Sequence, residues 1–172
     1  MIYTDINDLN KEYSLILADP PWQIKKGGKT KARPNSSGKP LDYPTLMLDE
    51  IQNHLQIALS HTTDNAIIFL WTIDSYLDKA LQMIKDLGLK KHIVMIWDKN
   101  QGMAPAFSVR FVHEYLIYAY KGKFQRPAKE AQGKYGSVFH TIQNGKHSQK
   151  PETAFEIIET LYPDFKDKRL EM

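Results

Sequence analysis

Two runs in which every residue is apolar, Leu15-Ile16-Leu17-Ala18 and Ala66-Ile67-Ile68-Phe69-Leu70-Trp71, constrain the fold more than anything else in the chain. A strand with one solvated face alternates apolar and polar residues, so a run without alternation has to be covered on both sides. His92 to Trp97 is a third candidate strand, rich in β-branched residues. Segments of helical spacing lie between and after these runs. Asp49 to Leu59 carries Ile51, Leu55 and Leu59 on one face. Asp74 sits where an N-cap belongs, Leu77, Ala80, Leu81 and Ile84 follow it, and Gly88 suits the C-cap. Pro151 opens a third helix with Ala154, Ile157, Ile158 and Leu161 on one side, and Pro163 ends it. The second half of Phe111 to Tyr120 reads as a strand, Ser137 to Thr141 as a short one, and Lys168 to Met172 as the start of a last one. This alternation predicts an α/β fold with a mostly parallel sheet and helices on both faces. At 172 residues and 42% hydrophobic, with no repeat and no linker, residues 1–172 are expected to form one domain.

Several function classes fall away. The chain has no cysteine, which excludes disulfides and thiolate metal sites and fits a reducing compartment. His54, His61, His92, His113, His140 and His147 are scattered without ligand spacing, so no metal is expected. No dinucleotide fingerprint is present, and Gly27-Gly28-Lys29-Thr30 resembles only the tail of a phosphate loop, with Gln23 where the first glycine belongs. No run is long enough for a membrane span and no signal pattern opens the chain, so a soluble cytoplasmic protein is expected. The net charge of +3 says less than its distribution. Lys25, Lys26, Lys29, Lys31, Arg33 and Lys39 crowd one Gly/Ser/Pro-rich segment, and Lys121, Lys123, Arg126, Lys129 and Lys134 another. Basic loops near 23–46 and 100–136 suit phosphate contacts; they suit solvated loops as well.

The first apolar run stops at Asp19-Pro20-Pro21-Trp22. In open α/β sheets ligands bind beyond the carboxyl ends of the strands. This tetrapeptide, and the segments after Trp71, Trp97 and Tyr120, are therefore expected to face one crevice. The prolines hold the backbone stiff and donate no hydrogen bonds, while their carbonyls remain as acceptors. A carboxylate, a carbonyl and an indole face held together fit a flat ring bearing an exocyclic amine: Asp19 and the Pro20 carbonyl would accept its two hydrogens and Trp22 would stack on the ring. Drawing the hydrogens to acceptors frees the nitrogen lone pair, and a fixed carboxylate stabilises positive charge growing on that nitrogen. The same residues also suit a plainer role, with the prolines as a strand stop, Asp19 as a turn former and Trp22 as a lid over the core.

Asp19-Pro20-Pro21-Trp22 resembles the catalytic motif of amino-group methyltransferases that use S-adenosylmethionine. More narrowly, the chain resembles the DPPW adenine N6-methyltransferases, the family of the mRNA adenosine N6-methyltransferase catalytic subunit and its small prokaryotic and phage relatives that methylate DNA. Further landmarks follow in the family's order. They are Tyr43-Pro44-Thr45-Leu46, Phe69-Leu70-Trp71-Thr72, Ile96-Trp97-Asp98-Lys99, Arg110 with His113-Glu114-Tyr115-Leu116 and Lys121-Gly122, and His147-Ser148-Gln149-Lys150-Pro151.

The resemblance implies a Rossmann-like methyltransferase fold, S-adenosylmethionine as cofactor, and methyl transfer to N6 of adenine in DNA. RNA as substrate, or a non-catalytic nucleic-acid-binding subunit, is the alternative. Asp19, Pro20, Pro21 and Trp22 are the implied catalytic group. Asp5, Ile6, Asp19, His147, Ser148 and Lys150 are the implied cofactor contacts; Lys25, Lys26, Lys29, Tyr43, Arg110 and Glu114 are the implied nucleic-acid contacts, with Arg110 alternatively tying its loop to Glu114. A prokaryotic or phage-infected cell is the implied setting, and both homodimer and heterodimer stay open. The family usually continues past its final strand into a segment with further cofactor contacts, for which the residues up to Met172 offer no counterpart.

Overall fold

A computed structural model describes residue 9 and residues 12–23, 44–99, 109–142 and 149–172. Asp5, Ile6, Lys25, Lys26, Lys29, Tyr43, His147 and Ser148 lie outside the described residues. In chain order the elements are β1 (Tyr13–Ala18), α1 (Leu48–Ser60), β2 (Thr62–Thr72), α2 (Leu77–Asp86), β3 (Lys90–Asp98), β4 (His113–Lys121), β5 (Val138–His140), α3 (Glu152–Leu161) and β6 (Arg169–Glu171). They form one six-stranded sheet in the order β5-β3-β4-β2-β1-β6. β1 is parallel to β2 and β6, and β3 to β5, while β4 runs antiparallel to both its neighbours. The sheet is therefore mixed, with one reversed strand in an otherwise parallel set.

The unbroken apolar runs are explained by burial on two sides. Ile16, Ala18, Ile68 and Leu70 pack under α1 and α2 with Ile51, Leu55, Ala80 and Ile84. Their neighbours Leu15, Leu17, Ile67, Phe69 and Trp71 pack under α3 with Ala154, Ile157 and Ile158. Each such side chain contributes roughly 2 kcal/mol on burial, so both faces of β1 and β2 hold the core together. The predicted Asp74 cap is instead a single 3-10 turn, Asp74–Tyr76, that leads into α2. Gly88 closes α2 as expected, at φ 70, with its N–H on the Lys85 carbonyl and the Leu89 N–H on the Ile84 carbonyl. No helix among the described residues is long and apolar enough to cross a membrane.

The reversed strand corrects one expectation. Thr72 pairs with Tyr115 and Asp98 with His113, so the start of β4 lies at the carboxyl ends of β2 and β3. Ala66 pairs with Lys121, so the end of β4 lies beside the beginning of β2. The segment after Tyr120 therefore leaves the sheet at the edge opposite Asp19 and does not share its crevice. Gly122 makes this turn at φ 66, and a Cβ there would stand 2.3 Å from the Asp64 carbonyl oxygen. The Lys123 N–H donates to Asn65 Oδ1 at 2.7 Å and locks the turn to the foot of β2.

Candidate active site

Asp19 is the first residue beyond β1, and the backbone around it is held tightly. Its N–H donates to the Met172 carbonyl at 2.8 Å, while the Met172 N–H donates to Leu17 at 3.1 Å. The chain following β6 thus clamps the exit of β1. The Pro20 carbonyl accepts the Trp22 N–H at 2.8 Å, and the Pro21 carbonyl accepts the Leu46 N–H at 3.1 Å. Trp22 and Leu46 form an isolated parallel bridge, which returns the chain after the long loop to the same corner.

The Asp19 carboxylate belongs to a line of alternating charge. Lys150 Nζ stands 2.8 Å from Asp19 Oδ1 and 3.2 Å from Glu114 Oε2, and Lys99 Nζ stands 2.9 Å from Glu114 Oε1. Four elements position the four groups. Asp19 follows β1, Lys99 follows β3, Glu114 is the second residue of β4, opposite Trp97, and Lys150 precedes α3. Two tryptophans floor the cluster. Lys150 lies over the Trp71 ring at 5.4 Å and Lys99 over Trp97 at 5.6 Å, and the two indoles meet edge to face at 6.0 Å. Each cation over a ring adds about 0.5–2 kcal/mol, more as water is excluded.

Burial sets the protonation of the group. It raises the Asp19 pKa above the usual carboxylate value, with the charge and hydrogen bond of Lys150 opposing and Glu114 reinforcing the rise. Burial pushes Glu114 the same way, but Lys150 and Lys99 together outweigh it and hold that carboxyl below its ordinary range. Burial lowers the Lys150 ammonium, yet its two carboxylate partners more than restore it, so its pKa is raised. The resting site therefore holds two cations and two carboxylates, of which Asp19 is the more easily protonated. Its Oδ1 is engaged by Lys150, and Oδ2 has no partner among the described residues.

Trp22 is buried. Its indole is 5% exposed, its Nε1–H donates to the Trp71 carbonyl at 3.1 Å, and it stacks on Tyr76 at 5.1 Å. The ring covers the core between Trp71 and Tyr76, the plainer of the two arrangements expected from sequence. Tyr76 in turn donates its hydroxyl to the Gln23 carbonyl at 2.6 Å, bracketing the tetrapeptide from outside. Arg110 is exposed and does not tie to Glu114, whose partners are Lys99 and Lys150. From sequence Lys99 is only the last residue of the Ile96-Trp97-Asp98-Lys99 landmark, with no role of its own, and Tyr76 carries no signal at all. Lys99 stands directly after a strand end, which is a usable signal; the partner of Tyr76 is far away in the chain.

A carboxyl-terminal strand edge carrying an aspartate, two prolines and a lysine-bound acid pair is the arrangement expected of an amino-group methyltransferase. The model of the MT-A70 family matches residues 13–172, and the chain belongs to that family of adenine N6-methyltransferases. It is also similar to the Type II methyltransferase M.MunI of Mycoplasma sp, at 29% identity over 171 residues, covering 89% of this chain and 69% of that protein.

Proposed function

We propose that the protein transfers a methyl group from S-adenosylmethionine to N6 of adenine in DNA, with Asp19 as the group that holds the target amine. The observation that carries this reading is the Asp19 carboxylate itself. It stands at the carboxyl end of a central strand, with one oxygen held by Lys150 at 2.8 Å and the other unengaged among the described residues. DNA is favoured as substrate because the similar Mycoplasma protein is a Type II methyltransferase.

The residues present suit the cofactor. Its amino-acid end is a zwitterion, and the site offers both signs within one cluster. In addition, the Trp71 indole N–H is buried without a hydrogen-bond partner among the described residues, a donor that a ligand acceptor would satisfy. Lys150 is the proposed grip on the cofactor carboxylate, with Asp19 nearby, while Asp5, Ile6, His147 and Ser148 are the proposed remaining contacts. When bound, S-adenosylmethionine supplies an electrophilic methyl group on its sulfonium.

The chain's own contribution is orientation and charge. Asp19 Oδ2 accepts one hydrogen of the N6 amine, and the remaining lone pair of the Pro20 carbonyl accepts the other. Both bonds pull the nitrogen towards a tetrahedral shape, with its lone pair out of the ring system. Asp19 then stabilises the positive charge on nitrogen and is the nearest acceptor for the proton it sheds. Lys150 keeps Asp19 ionised against the effect of burial, which makes it an acceptor at neutral pH. An adenine within a duplex reaches this edge only after leaving the stack, at a cost of roughly a few kcal/mol. Lys25, Lys26, Lys29, Tyr43 and Arg110 are the proposed nucleic-acid contacts.

Incubation with methyl-labelled S-adenosylmethionine and unmethylated DNA or RNA, followed by nucleoside analysis, tests the proposal. N6-methyldeoxyadenosine is the expected product, and it should vanish with Asp19→Asn. Label on N4 of cytosine, or in RNA alone, would refute the reading.

A further inference from the structure

Away from the charge cluster, at the far half of the sheet, the α3 face carries a second hollow. It has a volume of about 380 Å3 and is lined by β3, β4, the loop after β4 and Leu161 of α3. Consecutive residues of a regular strand face opposite sides. His92 and Ile93 nevertheless both line this hollow, because the β3–β4 register shifts between Lys91 and Ile93. Such a bulge re-aims one side chain. Here it brings the His92 ring onto Phe124 at 4.5 Å, nearly parallel, and edge-on to Tyr118 at 4.9 Å.

The opposite wall is built rather than loose. Within the loop the Ala128 N–H donates to the Leu161 carbonyl at 2.9 Å, Gln132 Nε2 to the Pro127 carbonyl at 2.9 Å, and the Tyr135 hydroxyl to Thr160 Oγ1 at 3.1 Å. Arg126 lines the hollow too. Its guanidinium and the two His92 ring nitrogens have no hydrogen-bond or ion-pair partner among the described residues. Residues 121–137 carry Lys121, Lys123, Arg126, Lys129 and Lys134 against a single acid, Glu130. The hollow thus joins aromatic walls with one cation, Arg126, that has no acidic partner among the described residues.

We propose that this hollow binds a nucleotide unit, with the base against the wall of His92, Phe124 and Tyr135 and the phosphate on Arg126. An apolar or neutral ligand would leave Arg126 unused, and a bare anion would leave the aromatic wall unused. Aromatic walls accept any base, because every base has a π-face. A guanidinium meets phosphate oxygens two at a time. The unit can arrive as a free mononucleotide or as one residue of an unpaired strand, and both share this chemistry. The site is separate from the methyl-transfer edge, and nothing in its occupancy depends on the reading of Asp19.

Histidine-labelled full-length chain, titrated with thymidine monophosphate, a thymidine hexamer and inorganic phosphate, tests the site by NMR, with the His92 signal assigned through His92→Ala. The mononucleotide is expected to move the His92 signal while leaving His113 and His140 in place. Arg126→Gln, at an exposed position, should weaken binding at least about tenfold, the loss of one charge-assisted pair. A hexamer that moves His92 where the mononucleotide does not would assign the site to strands and keep the proposal. A His92 signal that neither nucleotide moves, affinity indifferent to Arg126→Gln, or phosphate binding as tightly as the mononucleotide would each overturn it.

Discussion

The two ends of the β3–β4 pair make opposite use of charge. At the front edge Lys99, Glu114, Lys150 and Asp19 alternate in sign and satisfy one another. At the rear edge Arg126 stands beside an aromatic hollow with no acidic partner among the described residues. The contrast shows what each edge is prepared for. A self-compensated cluster can be buried, where its hydrogen bonds are strong and its carboxylate is held in position. An uncompensated one stays near water and attracts anions. Because β4 is antiparallel, its first residue, His113, and not its last, Lys121, lies at the front edge.

The largest effect should come from removing the acceptor at the front edge. Asp19→Asn keeps the shape of the side chain but removes its charge, and kcat is expected to fall by about 10³-fold, the scale seen when a preorganised electrostatic partner is lost. Circular dichroism should remain that of the parent, because Asp19 lies beyond β1 and outside the two core clusters, while the thermal midpoint should fall modestly with the loss of the Lys150 ion pair. Retained turnover in a folded variant would remove the proposed role of Asp19 and leave the front edge merely structural.

Lys150→Met asks whether the cluster tunes Asp19 or only holds it. Removing a positive charge favours the neutral carboxyl, so the Asp19 pKa, already raised by burial, should climb further. The acid limb of the kcat/KM profile should then move to higher pH, and turnover at neutral pH should drop. Breaking a buried pair also costs about 3–5 kcal/mol when it is fully enclosed, and less at this partly solvated site. The sign for stability follows from the raised pKa of Lys150: the parent keeps the pairing energy below pH 10.5 and loses it as pH rises through the raised value, a loss the variant should not show. An unmoved acid limb would mean that Lys150 does not tune Asp19.

What the sequence disclosed follows from where the determining forces act. β1 and β2 were legible because burial on two faces writes itself into consecutive residues, Leu15 to Ala18 and Ala66 to Trp71. The corner at Asp19 was legible because two prolines leave the backbone few choices. The direction of β4 was not, since Tyr115 to Tyr120 is equally apolar read either way and its direction is set by pairing with β2 and β3. The expectation for the segment after Tyr120 failed for that reason. The contacts of the Trp22 indole had no local signature, because its partners Trp71 and Tyr76 lie 49 and 54 positions away. The His92 bulge has no local signature either; it is visible only as a slip between two paired strands.

Gly122→Ala sharpens the comparison from the rear. The turn holds φ 66, and the new Cβ would meet the Asp64 carbonyl oxygen, so the backbone must shift. A destabilisation of about 2 kcal/mol or more is expected, read as a lower midpoint in urea, from the cost of a side chain in the left-handed region plus the clash. Methyl transfer by the folded fraction should keep its KM, because the turn lies at the edge away from Asp19. A raised KM with normal stability would mean that the two edges are coupled.

Tyr76 gives the smallest effect and the finest test of the front edge. It touches the tetrapeptide in two ways, by stacking on Trp22 at 5.1 Å and by donating its hydroxyl to the Gln23 carbonyl at 2.6 Å. Tyr76→Phe removes only the second, and a hydrogen bond of this kind is worth about 1 kcal/mol. If the bond serves only the fold, that amount should appear in unfolding and kcat should stay unchanged. If it aims the corner, part of it should appear as a fall in kcat of a few-fold at unchanged KM, since a displaced Asp19 reaches the amine less often in the reactive geometry. Tyr76→Ala would remove the stack as well and loosen Trp22, confusing the two readings, so the phenylalanine variant is the one that separates them. Aromatic contact alone suffices to hold Asp19 if kcat survives, and the front edge then needs only its charges to be set, not its outer bracket.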